Sequence, residues 1–333
     1  MVQSAHSQQK IRRRTQCNGG GMLIAELIHR FLDHCAGLVD RKQLQASTLK
    51  NYRNYARHIE SIAHLEVASL KARDVRAWHA AIPARVRAER GADGLAVANR
   101  ALVLLGSAIS FGVTEEFLPP SIPVTRSVRL FVQRRRTRFL SPAEITAVCN
   151  ALLRLERQRL RDGLTRSATQ ALLLLILTGM RKNEALKLRV SEVDLRHKLL
   201  KLPFTKTGYR EVPLSDAAAL LLRAQMRFAS GGWMFPAKNG REPIRQIYEV
   251  WRTALELSEI DRVGVVVHTL RHSLITDILR HGADIKTAAD VAGHQDLDIT
   301  RNTYGRPLAT VDGRQAVNDF AARIGATSLL GAA

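Results

Sequence analysis

From Pro119 to Arg138 the chain passes three prolines and six arginines without one acidic residue. Proline interrupts helices by removing a backbone donor, and a charge run of one sign cannot be buried without partners. This stretch therefore divides the chain into two separately folded bodies joined by a basic linker over residues 119–138. With 333 residues, each body is large enough for a core of its own.

Ahead of the linker, residues 1–21 carry Lys10 and Arg12 to Arg14, then Gly19-Gly20-Gly21, with no acid and no apolar period. They read as a disordered basic arm. Helical spacing begins at once afterwards, with Leu23, Ile24, Leu27, Ile28, Phe31 and Leu32 on one face. Ser47 suits the N-cap of a second helix whose inner face is Leu49, Tyr52, Ala56 and Ile59. A shorter helix carries Val75, Trp78 and Ile82, and a longer one repeats Leu95, Ala98, Leu102, Leu105 and Ile109. Four amphipathic helices without a strand pattern make residues 22–118 an all-α domain.

Beyond the linker, Ser141-Pro142-Ala143-Glu144 has the order of a helix start: serine as cap, proline at the first position, glutamate three residues after the cap. Ala168 to Leu177 is apolar all round and predicts a buried helix. Leu199 to Pro203 and Arg210 to Leu214 predict short strands around Thr205-Lys206-Thr207-Gly208-Tyr209, whose glycine permits a turn. Helices and loops alternate through the remainder, ending in an apolar stripe of Val317, Phe320, Ala321 and Ile324. Residues 139–325 are thus expected to form a mainly α, α+β domain with a small antiparallel sheet and a C-terminal helix.

A net charge of +21 calls for a polyanionic partner or entails strong self-repulsion, and nucleic acid is the first candidate partner. Cys17, Cys35 and Cys149 are odd in number and lack metal-site spacing, which suits free thiols in a cytoplasmic protein. The longest apolar run, Ala171 to Leu177, falls far short of the roughly 20 residues that a membrane span needs. The polar, basic start predicts no signal peptide.

The chemistry concentrates near the end of the chain, in His268-Thr269-Leu270-Arg271-His272, then Gly293-His294, then Tyr304 ten residues later. A phosphodiester resists attack because its two non-bridging oxygens are negative and become more so as a fifth oxygen bonds. Arginine answers that charge, since its planar guanidinium donates two hydrogen bonds at once and keeps its proton at neutral pH. Arg271 follows His268 by three residues, which places both on one helical face. Arg181, in Thr178-Gly179-Met180-Arg181-Lys182-Asn183-Glu184, lies near another helix start, where open backbone N–H groups add positive field. Imidazoles at His268 and His294 can donate to phosphate oxygens or move a proton. A metal site is the alternative reading of these histidines, but neither a carboxylate partner nor a CxxC accompanies them.

Taken in order, Arg181, Lys206, His268, Arg271, His294 and Tyr304 resemble the complete catalytic set of the tyrosine recombinase, or phage integrase, family. The resemblance runs from about residue 22 to about residue 325, and Thr303-Tyr304-Gly305 matches the phage-type ending around the nucleophile. It implies a SAM-like core-binding domain followed by a catalytic domain, clamped on double-stranded DNA and working as a homotetramer at synapsis. It also implies that Tyr304 forms a 3′-phosphotyrosyl bond and releases a 5′-hydroxyl, with Lys206 protonating the departing oxygen, so that neither ATP, metal nor another cofactor is needed. Glu184 would brace the arginines, and His272 would pack beneath the site. The apolar stripe at Val317 to Ile324 would dock on a neighbouring subunit.

In the first domain, Lys50, Arg53 and Arg57 share the face opposite Leu49 and Tyr52, with Arg100 on a later helix. These side chains, together with Arg134, Arg135 and Arg136 of the linker, are candidate DNA contacts, a solvated basic surface being the alternative. Two other activities remain open at this point. A type IB topoisomerase would relax supercoils with the same chemistry, and a catalytically silent homologue would only regulate.

Overall fold

The computed structural model describes residues 21–120, 124–133, 138–158, 162–205, 208–293, 313–326 and 328. The chain divides into two compact units, Met1–Arg135 and Arg136–Ala333.

In the first unit four helices, α1 (Ile24–Asp40), α2 (Ala46–Ala56), α3 (Ala72–Arg90) and α4 (Leu95–Thr114), surround one core. Of the α1 face predicted from spacing, Ile24, Leu27, Ile28 and Phe31 are buried and Leu32 is half-buried, whereas Leu23 stands exposed just ahead of the helix as its N-cap. Helix α2 begins earlier than Ser47 suggests. The amides of Thr48 and Leu49 bond the Gln45 carbonyl, so Gln45 is the cap and no side chain serves the helix start. Helix α3 is not short: it has 19 residues and runs through Pro83. Interior proline costs about 3 kcal/mol, but Val86 continues the buried row of Val75, Trp78 and Ile82, and that burial outweighs the local loss. Trp78 also donates its Nε1–H to the His58 carbonyl at 2.8 Å.

Helix α4 is long and apolar enough to cross a membrane by length and composition. It is instead the central helix of this core, packed on α1, α2 and α3 with Ala98, Leu102, Leu105 and Ile109 buried. Much of the stretch read as a linker belongs to this unit as well. Val128 is buried, the Phe131 ring stacks on His79 at 4.4 Å, and Asn99 bonds both the Phe131 amide and its carbonyl. Arg126 and Arg129 are exposed; Arg134, Arg135 and Arg136 lie outside the described residues.

The second unit starts where the sequence places it. Ser141 Oγ accepts from the Glu144 amide while the Glu144 carboxylate accepts from the Ser141 amide, and α5 (Pro142–Gln158) follows. Arg138, part of the basic run, is committed here: it pairs with Glu144 and donates to the Asp261 carbonyl at 3.2 Å. Hydrogen bonding to Arg138 holds the Glu144 carboxyl below the usual carboxylate range. The apolar helix α6 (Gly163–Thr178) is buried from Ala168 to Thr178 except at Gln170. It forms the centre of a layer with α5, α8 (Asp216–Gln225), α9 (Tyr248–Leu257) and α10 (Val267–Arg280).

Three antiparallel strands stand beside this layer in the order β1 (Val193–Asp194), β2 (Leu199–Thr205) and β3 (Gly208–Pro213). The hairpin is tighter than the sequence suggests, since β2 and β3 reach to Thr205 and Gly208, with a register irregularity between Leu202 and Thr205. Gly208 takes a φ of +92°, the left-handed freedom expected of it. Leu200, Leu202, Arg210 and Val212 are buried, whereas Lys201, Tyr209 and Glu211 are exposed.

Short helices α7 (Lys182–Leu186), α11 (Ile285–Ala292) and α12 (Gly313–Arg323) complete the unit. The stripe on α12 is not left for a neighbouring subunit. Val317, Phe320, Ala321 and Ile324 are all buried in the core of their own unit, against α10, α11, α6 and α8. Arg323 locks the helix by pairing with Asp277 of α10. Cys35 and Cys149 are free, buried thiols, and burial pushes Cys149 up to about 12, which makes it an inert core residue.

Candidate active site

The structure brings Arg181, Glu184 and Arg271 together around the C-terminus of α11, with His268 three residues before Arg271 on the same helix. Helix α6 ends at Gly179, whose φ of +60° turns the chain and whose amide bonds the Leu175 carbonyl. Two residues later Arg181 caps α7. Its amide bonds Glu184 Oε2 at 2.9 Å, its Nη1 bonds Glu184 Oε1 at 2.8 Å, and its Nη2 reaches the Gly293 carbonyl at 2.8 Å.

Arg271 is buried although charged, with 4% of its surface exposed. Its Nη1 donates to the Gly179 carbonyl at 2.8 Å and its Nη2 to the carbonyl of Ala292. Arg181 and Arg271 thus bond consecutive carbonyls, Gly293 and Ala292, so their guanidiniums are neighbours. The carbonyl end of a helix is its negative end, which offsets the cost of placing cations together.

Sequence reasoning missed a third arginine. Arg210 on β3 donates to Glu184 Oε2 at 3.2 Å, to the Ala292 carbonyl at 3.0 Å and to the Val291 carbonyl at 2.8 Å. Burial pushes its pKa down, Glu184 opposes that shift, and nearby Arg181 adds to it. Glu184 therefore joins Arg181 to Arg210. A signal was present: strand alternation puts Arg210 on the same face as Val212, and a charge on an inward face needs partners. Gly293 completes the arrangement with a φ of +62°; a Cβ there would come within 2.3 Å of the Arg210 guanidinium.

His268 is exposed near the start of α10. It lines, with Arg271, Lys182 and Tyr248, an open cavity of about 350 Å³ whose floor is Leu175, Met180 and Leu270. His272, one turn further along, is half-buried and meets the Phe139 ring edge-on, 6.4 Å between centroids. Lys206, His294 and Tyr304 lie outside the described residues, although Lys206 falls between β2 and β3 in the chain and His294 directly follows Gly293. Among the described residues no three His, Cys, Asp or Glu side chains cluster as a metal site would.

In the first unit Lys50 and Arg53 are exposed on α2, Arg57 is exposed just after it, and Arg100 is exposed on α4, which packs against α2.

Known proteins share this architecture. Residues 138–310 match the model of the phage integrase family. The chain is 28% identical over 292 residues to tyrosine recombinase XerD of Mycobacterium leprae, covering 81% of this chain and 89% of that one. It is 30% identical over 133 residues to XerD of Pseudomonas aeruginosa, where the match spans 37% of this chain and 44% of that one. Among solved structures, the Tn1549 transposon integrase in complex with transposon right end DNA superposes with a TM-score of 0.65 at 17% identity, covering 90% of this chain and all of that one. A lambda integrase tetramer bound to a Holliday junction gives 0.61 at 18% identity, covering 88% and 86%. The fold is shared with the two solved integrases, and since the family match takes in more than half of its length, this chain belongs to the phage integrase family of tyrosine recombinases.

Proposed function

We propose that the chain is a site-specific DNA recombinase of the integrase type, which cuts and rejoins duplex DNA through a 3′-phosphotyrosyl intermediate at Tyr304. The observation that carries this reading is the pair of guanidiniums, Arg181 and Arg271, set side by side at the C-terminus of α11 with His268 on the helix that bears Arg271. Two fixed cations suit the growing charge on the two non-bridging oxygens of one phosphate, and their bonds to carbonyls orient them before substrate arrives.

In the proposed step the Tyr304 oxygen bonds to phosphorus and the bond from phosphorus to the 5′ oxygen breaks. Lys206 gives a proton to that oxygen, and His268 or His294 takes the phenolic proton. Strand exchange runs the same step backwards with a 5′-hydroxyl from the partner DNA. The number of high-energy bonds is unchanged, so the cycle needs no nucleotide. The solved lambda integrase tetramer on a Holliday junction supports a tetrameric synapse for this chain too. The names of the curated relatives favour recombination over relaxation, and an assay with two sites on one plasmid separates these outcomes.

Tyr304→Phe tests the assignment directly. On a nicked duplex that traps the covalent intermediate, the wild-type chain is expected to form a protein–DNA adduct whose peptide map ends at Tyr304, while the variant binds the site and forms none. An adduct mapped to another tyrosine rejects the reading.

Lys50, Arg53, Arg57 and Arg100 are proposed to contact backbone phosphates, with Arg134, Arg135 and Arg136 extending the track. Each lost phosphate contact reduces the slope of log K against log salt by about 0.9. Replacing Lys50, Arg53 and Arg57 together by alanine is expected to flatten the slope by roughly two to three; an unchanged slope would make that face merely solvated.

A further inference from the structure

Lys182 directly follows Arg181 but turns to a different part of the site. Its Nζ donates to the hydroxyl of Tyr248 at 2.8 Å and lies 4.7 Å from the centre of the same ring. Both side chains line the cavity that His268 and Arg271 also line. Lysine is among the most costly side chains to immobilise, since it loses up to about 2 kcal/mol of rotamer freedom. On a surface the usual compensating partner is a carboxylate. Here the partner is a neutral phenol, and among the described residues no carboxylate pairs with Lys182.

An ammonium has three donors, so after the bond to Tyr248 two remain to point into the cavity. Tyr248 is 54% exposed at the start of α9, so the pair sits at the cavity mouth where a long polymer can reach it. Lys182 adds positive charge to the mouth of a cavity that Arg271 also lines, and a cleft lined by cations concentrates anions. A ligand of negative charge suits the two remaining Lys182 donors, and the bond to Tyr248 fixes where that charge would sit.

We propose that Lys182 grips a DNA backbone phosphate flanking the one that is cut, and that Tyr248 is the positioning residue that aims it. This rests on the recombinase reading above and extends it to a second phosphate. Arg181 and Lys182 then present two cations from consecutive residues: Arg181 faces the carbonyl end of α11, and Lys182 faces α9. The strand is then held at the reacting phosphate and at one neighbouring phosphate, which sets its register in the site.

The test combines protein and DNA substitutions. Duplexes carry one neutral methylphosphonate at each phosphate within three nucleotides of the cleavage position, and site binding is measured for wild type, Lys182→Met and Tyr248→Phe. At one flanking phosphate the methylphosphonate is expected to weaken wild-type binding roughly tenfold, the worth of a hydrogen bond between charged groups. Lys182→Met should weaken binding to unmodified DNA by the same factor and be indifferent to that one modification. Tyr248→Phe, which keeps the ring, should show a smaller loss, also abolished at the same phosphate; a structural defect would not be confined to one position. Lys182→Met should lower the salt slope by about one. Effects that multiply independently at every phosphate overturn the proposal, as does unaltered binding by Lys182→Met. Adduct formation by the wild-type chain on the unmodified duplex is scored in parallel. Its absence condemns the recombinase reading itself, whereas its presence with independent effects condemns only the role of Lys182.

Discussion

Phe320→Ala is expected to destabilise the second unit by about 3–5 kcal/mol, the usual cost of removing a fully buried aromatic side chain. Phe320 and Val317 are completely enclosed, and Ala321 and Ile324 nearly so, by residues of the same unit. Truncation before Val317 removes all four at once and also leaves Asp277 of α10 without its partner Arg323. The truncated chain should therefore lose the cooperative denaturant transition of its second unit, and DNA cleavage with it. Urea unfolding followed by tryptophan fluorescence in a Trp78→Phe background reads this directly, because the other two tryptophans, Trp233 and Trp251, both lie in that unit. The competing expectation is a tail that docks on a neighbouring subunit. A truncated chain that unfolds at the wild-type urea concentration, and fails only in bringing two sites together, would restore that role.

Arg210→Met is expected to have the second large effect, on both stability and chemistry. Removing one partner of a buried ion pair typically costs about 3–5 kcal/mol, because the remaining charge is left in a poor environment. Here Glu184 keeps Arg181, but the Val291 carbonyl loses the Arg210 donor. Lysine cannot substitute, since a single ammonium does not span a carboxylate and two carbonyls as the guanidinium fork does. Adduct formation should fall further than site binding, because Glu184 and the carbonyl end of α11, the two groups that hold Arg181, both lose their Arg210 anchor. Gly293→Ala attacks the same contact from the opposite side, through the Cβ that would overlap the guanidinium. Its cleavage defect should resemble that of Arg210→Met, and combining the two should add little. Wild-type stability and cleavage in Arg210→Met would show that α11 is held in place without it.

The amino-acid sequence by itself determined whatever depends on near neighbours in the chain. Apolar residues three and four apart define the buried faces of α1 and α4, and Ser141, Pro142 and Glu144 define the start of α5, because helical period and capping act within a few residues. The order of Arg181, Lys206, His268, Arg271, His294 and Tyr304 is likewise a pattern of the sequence, and the proposed chemistry would require those side chains whatever the fold around them; the structure describes Arg181, His268 and Arg271 of that set. Tertiary structure alone decided the rest. Arg210 meets the Ala292 carbonyl across 82 residues of chain, and Lys182 meets Tyr248 across 66; no local pattern encodes either contact. The stripe from Val317 to Ile324 announced an apolar face but not what covers it, because hydrophobic burial has no direction and is satisfied equally by another subunit or by the chain's own core. Only the packing of α12 on α10, α11, α6 and α8 made that choice.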